Sequence, residues 1–205
     1  TIKMISMVEL KARLKNACAK VIAAKDELTD IDSRFGDADH GITMEKVAKA
    51  ILSSMDEDAA SLNEMFSNIS MEVMMINGGS SSQLWAAWLG GMEEHAVTKD
   101  CMTLEELKEL FVGSYEELAA ISKAKIGDKT MMDALIPAIE AIKAYEGDEA
   151  GLFKAAASAA INGAEASKNF VSKFGRARSY GEQTLGTPDA GAVSMKYFFV
   201  GLAEE

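Results

Sequence analysis

The sequence predicts an all-α fold, and composition and hydrophobic spacing carry that prediction. Alanine and methionine are abundant, whereas proline occurs only twice in 205 residues and runs of Val, Ile or Thr are few. This composition favours helices over sheet. Apolar residues also recur at helical spacing, as at Met7, Leu10, Leu14 and Val21. The length suits one domain with a sizeable core. We therefore expect a single domain over residues 1–205, an antiparallel bundle of eight helices with mostly short connections.

Local signals place the helices in order along the chain. Ser61-Leu62-Asn63-Glu64 and Thr103-Leu104-Glu105-Glu106 are capping boxes that start the third and fifth helices. Pro137 lies inside the sixth, where we expect a kink or a late start. The predicted helices cover about residues 4–28, 42–55, 61–75, 80 to beyond 89, 103–123, 130–145, 149–169 and 191–202. The connections over residues 29–41 and 172–190 are longer than packing requires, which is typical of functional loops.

Two groups of large apolar side chains are expected in the core. Trp85 and Trp88 lie three residues apart on one helical face. Met71, Met74 and Met75 share a face of the preceding helix and are also assigned to the core. His95 is expected at the surface, near a helix end.

The bulk charge excludes some classes of function. The formal net charge is −11, which argues against non-specific nucleic-acid binding and against binding to anionic membranes. No apolar run is long enough to span a bilayer, and the first residues lack the apolar core of a signal peptide. Cys18 and Cys101 match no metal spacing, and so few cysteines favour a reducing compartment. We expect a cytoplasmic protein.

The most informative stretch is Asp32-Ser33-Arg34-Phe35-Gly36-Asp37-Ala38-Asp39-His40-Gly41. Its carboxylates and glycines predict a loop that turns several oxygens toward one point, as Mg²⁺ with substrate phosphates requires. The alternative is an acidic, solvated surface turn. An EF-hand is excluded because its sixth position, counted from Asp37, is Ile42 rather than Gly. A P-loop is excluded because Asp128 interrupts the Gly-Lys-Thr run.

Three further segments are candidate phosphate sites, each with a plainer alternative. Residues 77–82, Asn-Gly-Gly-Ser-Ser-Ser, join two helices and either bind phosphate at a helix N-terminus or simply cap it. Arg176 and Arg178 supply cations that suit phosphate, or are solvated loop charges. Asp189 starts the last helix, where it either contacts a ligand or serves only as the N-cap. His40 differs from His95 because it follows an acidic pair in a glycine-flanked loop, which favours a functional role.

These segments together resemble the nucleotide-binding subunit of dihydroxyacetone kinases, the DhaL type. The matching pieces run from near the start of the chain to near its end: Asp32 with residues 36–41, Gly78-Gly79-Ser80-Ser81, Gly127-Asp128-Lys129-Thr130-Met131, Gly175-Arg176-Ala177, Gly181-Glu182 and Asp189-Ala190-Gly191. The resemblance implies an antiparallel barrel of eight helices with nucleotide, ADP or ATP, bound at one end.

The resemblance also implies roles for particular residues. Two Mg²⁺ ions would be bound by three aspartates, Asp32, Asp37 and Asp39. The phosphates would contact residues of two helix starts, His40, Gly41, Ile42, Thr43, Ser80 and Ser81. Met131 would lie on the adenine side. Arg176 would be catalytic by stabilising developing charge, and with Asp189, Ala190 and Gly191 would complete the nucleotide contacts.

The function implied is phosphoryl transfer from the bound nucleotide to a small keto-sugar held by a separate sugar-binding kinase subunit. In members linked to a phosphotransferase system, a phosphoprotein recharges bound ADP; in others ATP exchanges freely. A free-standing chain of this size favours the first type, and a homodimer is compatible with the family. The related domain of fatty-acid kinases fits less well because it usually carries Thr where this chain has His40.

The chain departs from the family pattern at several positions. Where the family usually has Gly, Gly, Arg and Pro, this sequence has Ala38, Ser82, Gln183 and Ala190, and a further glycine is replaced near Ser122. Arg178 is extra and is a candidate to replace the arginine missing at 183. These changes keep open an alternative function, a non-catalytic regulatory protein that retains the nucleotide site.

Overall fold

A computed structural model describes residues 3–205, which form helices almost throughout, as predicted. The described residues contain the α-helices α1 Met7–Ala23, α2 Lys25–Ser33, α3 His40–Ser54, α4 Leu62–Met74, α5 Ser80–His95, α6 Leu104–Ile121, α7 Met132–Ala144, α8 Glu149–Ala166 and α9 Ala190–Ala203, the strands β1 Met4–Ser6 and β2 Cys101–Thr103, and 3-10 segments over Ser167–Asn169 and Arg176–Thr184. The all-α class is confirmed.

Eight of the helices form a closed ring. Following the chain from α3 to α9, each helix packs against the next, and α1 packs against both α9 and α3 to close the circle. The short α2 packs across one end, against α3 and α9. Consecutive helices run antiparallel because their connections are short, so α3, α5, α7 and α9 all begin at the same end. That end carries the candidate site.

An aromatic core fills the ring. Trp85 of α5 lies 5.1 Å from Phe198 of α9, and Trp88 lies 6.0 Å from Phe199, measured between ring centroids. All four side chains are buried, so the prediction of two core tryptophans is confirmed. The contact between Trp85 and Phe198 is edge-to-face, and contacts of this kind add to the stabilisation from buried area.

The assignment of Met71, Met74 and Met75, at the end of α4, to the core is wrong. Met71, Met74 and Met75 are 64%, 69% and 77% exposed. The helix has two apolar faces, and the inward face is the one formed by Leu62, Met65, Phe66, Ile69 and Val73, which are all buried. Periodicity identifies a face but does not decide which of two apolar faces meets the core.

The first predicted helix is interrupted, and part of the first predicted loop is helical. Met4–Ser6 pairs antiparallel with Cys101–Thr103, with Ile5 opposite Met102, and Ser6 then caps α1. The helix breaks at Ala24, whose φ of −87° and ψ of 2° redirect the chain into α2. The loop predicted from residue 29 therefore begins only at Arg34. A three-residue strand whose partner lies about a hundred residues away leaves no local signal.

Pro137 is accommodated inside α7, which begins at Met132, two residues after the predicted start at about residue 130. Proline has no N–H, so the carbonyl of Asp133 has no helical partner four residues on. Gly163 of α8 lies against this carbonyl, and a Cβ at position 163 would come within 2.0 Å of it. The proline and the glycine together let α7 and α8 pack closely. None of the helices in residues 3–205 is long and apolar enough to cross a membrane.

Candidate metal and nucleotide site

The N-terminal ends of α3, α5, α7 and α9 surround an open cavity of about 740 Å³. The four segments singled out in the sequence meet here. Most of the predicted site residues line the cavity: Asp32, Asp37, Asp39, His40, Thr43, Ser80, Ser81, Met131, Arg176, Asp189, Ala190 and Gly191. Gly41 and Ile42 do not line it. Gly41 is buried behind the cavity wall, and the Ile42 side chain is 45% exposed on the outer face.

The three aspartates converge. One carboxylate oxygen from each of Asp32, Asp37 and Asp39 lies within 4.8 Å of the others. Oδ2 of Asp32 accepts hydrogen bonds from the backbone N–H groups of Asp39 at 3.0 Å and His40 at 3.1 Å, which fixes it at the start of α3. Gly36 folds over the same carboxylate, where a Cβ would come within 2.4 Å of Oδ1. An all-oxygen donor set of this kind fits a hard cation such as Mg²⁺.

The charge of this cluster is partly compensated by an exposed ion pair between Arg176 and Asp37. Burial raises the pKa of Asp39, and the neighbouring carboxylates of Asp37 and Asp32 raise it further. A divalent cation would remove this repulsion. The turn also carries backbone strain, because Ala38 has a φ of 59°, which costs a residue with a Cβ about 1 kcal/mol. Glycine at this position would avoid that cost.

Two helix N-termini present unpaired N–H groups to the site region. Within residues 3–205, the backbone N–H groups of Gly41 and Ile42 in α3 and of Ser80 and Ser81 in α5 find no protein acceptor. Such groups, with the helix dipole, favour phosphate. Gly41 has a second requirement: a Cβ there would come within 2.1 Å of the Lys25 carbonyl, so the glycine lets α2 pack against α3.

The His40 side chain is almost fully buried at the edge of the cavity. Its Nδ1 lies 3.1 Å from Oγ of Ser81, and its Nε2 lies 3.0 Å from Oγ of Ser194. Burial lowers the pKa of His40 to about 4, despite smaller opposing effects from Asp32 and from a hydrogen bond to the Ala190 backbone. The ring is therefore neutral near pH 7 and connects α3, α5 and α9.

Lys129 and Asp133 have structural roles that sequence reasoning missed, although Lys129 belongs to a quoted motif. Asp133 accepts hydrogen bonds from the N–H groups of Gly127 at 2.7 Å and Thr130 at 2.8 Å, which shapes the loop before α7. The buried Nζ of Lys129 donates to the carbonyl of Ser167 at 2.6 Å and to that of Thr187. Lys129 adopts a φ of 63° to reach them. These bonds fix Met131 against the turn that precedes α9.

Asp189 is the N-cap of α9 and also lines the cavity. Its carboxylate accepts a hydrogen bond from the N–H of Ala192 at 2.9 Å, and its own N–H donates to Oγ of Ser167 at 2.9 Å. Burial raises the pKa of Asp189, although its backbone partners favour the charged form. The carboxylate is thus already used within the fold, and Ala190 and Gly191 follow it at the cavity wall.

The loop that carries Arg176 closes one side of the mouth. Nη2 of Arg176 lies 3.5 Å from Oδ2 of Asp37, and its side chain is 73% exposed. Packing of Tyr180 against Phe35, 5.2 Å between ring centroids, holds this loop to the aspartate loop. The two loops predicted to be functional therefore lie side by side. Arg178 is exposed and does not line the cavity.

The fold and this constellation define a class: an eight-helix ring with an acidic loop and helix N-termini at one end. The DAK2 domain model matches residues 34–204, so the chain belongs to the DAK2 domain family. The chain is 28% identical to the "PEP-dependent dihydroxyacetone kinase, ADP-binding subunit DhaL" of Escherichia coli (strain K12), with 91% of each chain covered. The resemblance to DhaL-type subunits is confirmed.

Other relatives are longer. The chain is 32% identical to the D-erythrulose kinase of Mycolicibacterium smegmatis over 91% of its own length, but spans only 33% of that protein. Among solved structures, the dihydroxyacetone kinase of C. freundii in its native form matches with a TM-score of 0.71 and 25% identity, over 95% of this chain and 34% of that one. The same enzyme in complex with AMP-PNP and Mg²⁺ matches with a TM-score of 0.71 and 23% identity, over 99% and 35%, and shows the shared fold.

Proposed function

We propose that this chain is the Mg-nucleotide-binding subunit of a dihydroxyacetone-type kinase, and that it transfers the terminal phosphoryl group of its bound nucleotide, as ATP, to a small keto-sugar held by a partner subunit, which leaves bound ADP. The observation that carries the proposal is the convergence of three carboxylates within 4.8 Å of one another in the cavity onto which two helix N-termini open. The E. coli relative is named an ADP-binding subunit, and one structural neighbour was solved with AMP-PNP and Mg²⁺. Both names support the same assignment.

Asp32, Asp37 and Asp39 would hold the metal, with two Mg²⁺ ions as the full complement. Bound Mg²⁺ would neutralise phosphate charge and orient the transferred group. The residues of this chain supply the frame. The backbone N–H groups of Asp39 and His40 donate to Asp32 and fix its carboxylate. Asp37 and Asp39 follow on a tight turn in which Ala38 has a φ of 59°.

The nucleotide would lie along the cavity wall. Its phosphates would face the N–H groups at the starts of α3 and α5, where the helix dipoles favour negative charge. Met131, held by the loop that Asp133 shapes, would contact the adenine side with Gly191 nearby. Arg176 would exchange its contact with Asp37 for the phosphoryl group once a cation binds the carboxylate, and would stabilise developing charge as the catalytic residue.

A partner subunit is proposed because efficient transfer requires the acceptor to be held in line with the phosphate. The longer relatives contain about twice as much additional chain as they share with this one, whereas the DhaL relative is a subunit of similar length. Exposed apolar side chains flank the cavity mouth and support docking of the sugar-binding subunit there. Ile121 and Phe174 line the cavity while 64% and 46% exposed, and Met75 lies four residues before Gly79.

Recharging of bound ADP by a phosphotransferase-system phosphoprotein, a cytoplasmic location and a homodimer complete the proposal. One observation favours the second candidate, a regulatory protein without catalysis. The arginine that the family usually carries at this position is Gln183 here, and Arg178, the candidate to replace it, is exposed and does not line the cavity. Both candidates share the nucleotide site and differ in turnover.

The test has two parts. Calorimetry with Mg-ADP should detect binding to the wild-type chain and none to Asp37→Asn, whose circular-dichroism spectrum should be unchanged. The isolated chain with Mg-ATP and dihydroxyacetone should form no appreciable sugar phosphate. Adding a cognate sugar-binding subunit, with ATP or a phosphoprotein donor, should restore turnover, and Arg176→Ala should reduce that turnover more than it weakens ADP binding. Binding without restored turnover would favour the regulatory candidate, and absence of Mg-ADP binding would reject both.

A further inference from the structure

The part of the chain that carries Arg176 is bracketed by two glycines. Gly175 has a φ of 66° and Gly181 a φ of 56°, and a Cβ at either position would meet nothing within 4 Å. Backbone conformation, not close packing, therefore requires glycine at both positions. The hydrogen bonds of the residues between them, 176–180, stay within this loop, as from Oγ of Ser179 to the carbonyl of Arg176 at 3.0 Å. This Arg176 segment thus depends on its side chains for attachment to the rest of the fold.

Two side-chain contacts attach the Arg176 segment to the aspartate loop. Within residues 3–205, the ion pair from Arg176 to Asp37 and the aromatic contact from Tyr180 to Phe35 are the only contacts of their kinds that the segment makes. The charged atoms lie 3.5 Å apart. The ring centroids lie 5.2 Å apart, and the ring planes are inclined at 60°. Because the segment is held at both of its ends, its orientation is fixed as well as its position.

The two contacts differ in how they respond to a bound cation. The ion pair is largely exposed, and it uses the carboxylate of Asp37, which belongs to the proposed metal site. A cation bound there would compete with the guanidinium for the same oxygens. The aromatic contact carries no charge and includes none of the oxygens that would bind metal. It is therefore the attachment that persists when a cation binds.

We infer that Tyr180 is a positioning residue for Arg176. By packing on Phe35, it keeps the Arg176 segment on the aspartate loop after a cation has displaced the guanidinium from Asp37, so that the guanidinium stays at the cavity. Phe35 lines the cavity and Tyr180 does not, so Tyr180 acts on the reaction through Arg176 and not by contact with the nucleotide. The role in the reaction rests on the proposed function, whereas the attachment itself exists in the free protein.

Limited trypsin digestion of the free protein in EDTA tests the attachment, because Arg176 and Arg178 are cleavage sites inside the segment. Cleavage follows the population of the detached form, so Tyr180→Ala should speed it by about two- to tenfold, the worth of one aromatic pair. Phe35→Ala should do the same, and the double variant should exceed neither. Tyr180→Phe and the control Leu185→Ala, which truncates an apolar side chain 45% exposed on the same loop, should match the wild type. Wild-type cleavage of Tyr180→Ala, or effects that multiply in the double variant, would overturn the inference.

Turnover with Mg-ATP, dihydroxyacetone and a cognate sugar-binding subunit tests the action through Arg176. Tyr180→Ala should reduce turnover by about two- to tenfold and change the Kd for Mg-ADP by less than about twofold, and Tyr180→Phe should restore turnover. In the Arg176→Ala background, Tyr180→Ala should cause no further loss. An equal loss in both backgrounds would overturn the positioning role.

Failure of the proposed function gives a different pattern. A wild-type chain that binds no Mg-ADP, or binds it without turnover in the presence of that subunit, would reject the kinase assignment and the role of Tyr180 in the reaction together. Trypsin digestion of the free protein would still decide whether Tyr180 and Phe35 attach the Arg176 segment.

Discussion

Asp39→Asn should stabilise the metal-free protein while removing its response to Mg-ADP. The wild-type cluster places three carboxylate oxygens within 4.8 Å of one another. At that separation two unit charges repel by about 0.9 kcal/mol with the dielectric constant of water, which suits an open site. Asparagine removes both repulsions of Asp39, roughly 2 kcal/mol in total. It also removes a negative charge at the start of α3, which costs about 0.3–1 kcal/mol.

The net gain is therefore about 1 kcal/mol in the free energy of unfolding, or roughly 2–4 °C in Tm for a chain of this size. Thermal melts in EDTA followed by circular dichroism measure it. Asp26→Asn is the matched control, because Asp26 is also acidic at a helix start, in the first turn of α2, and lies outside the cluster. That variant should lose stability slightly.

The sign of the effect depends on pH and on ligand. The pKa of Asp39 is raised in the folded protein, so its ionisation reduces stability as the pH rises through that value. The advantage of the asparagine variant should thus be present at neutral pH and disappear below about pH 4. With Mg-ADP at about 100 times Kd, the wild type should gain about 2.7 kcal/mol and the variant little. A variant that melts below its control in EDTA, or that keeps the full gain with Mg-ADP, would refute the reasoning.

Three further predictions concern other parts of the molecule. Ala38→Gly should raise stability by up to about 1 kcal/mol in denaturant unfolding, because it relieves a φ of 59°; a loss would mean that the entropy of the glycine outweighs the strain. His95 lies 3.1 and 3.3 Å from two glutamates of α6, which raise its pKa although burial alone would lower it. The contribution of protonated His95 to the free energy of unfolding is at most about 1 kcal/mol for a pair this exposed. It is present below about pH 6.5 and is lost as the pH rises through the raised pKa of His95. The stability of the wild type should therefore fall over that interval, and His95→Gln should not show the fall. Replacing Met75, which flanks the cavity mouth and is 77% exposed, by Glu should leave Mg-ADP affinity unchanged and reduce turnover with a sugar-binding subunit by about tenfold or more, and unchanged turnover would place the docking surface elsewhere.

Much of the fold follows from local sequence. The capping box at Thr103 is present in the structure, with Thr103 and Glu106 bonded to each other's backbone N–H. Helix starts, helical periodicity and breakers act over a few residues, so a single sequence contains the information. The acidic loop is local in the same sense: Asp32, Asp37 and Asp39 lie within eight positions, and a glycine between them lets the chain turn. Their convergence was predictable for that reason.

Other features depend on how the ring closes. Which surfaces the neighbouring helices cover decides three such features. Met71 and Met74 face outward, the first helix breaks at Ala24, and the loop after α2 begins only at Arg34. The same is true of His40 and Ser194, which are separated by 154 positions in the sequence and by 3.0 Å in the structure. The sequence by itself determined which residues form helices and which carry the acidic chemistry, because those properties are set by near neighbours. Only the tertiary structure decided which apolar faces are buried and what each buried polar group bonds to, because both depend on the packing of distant helices against one another.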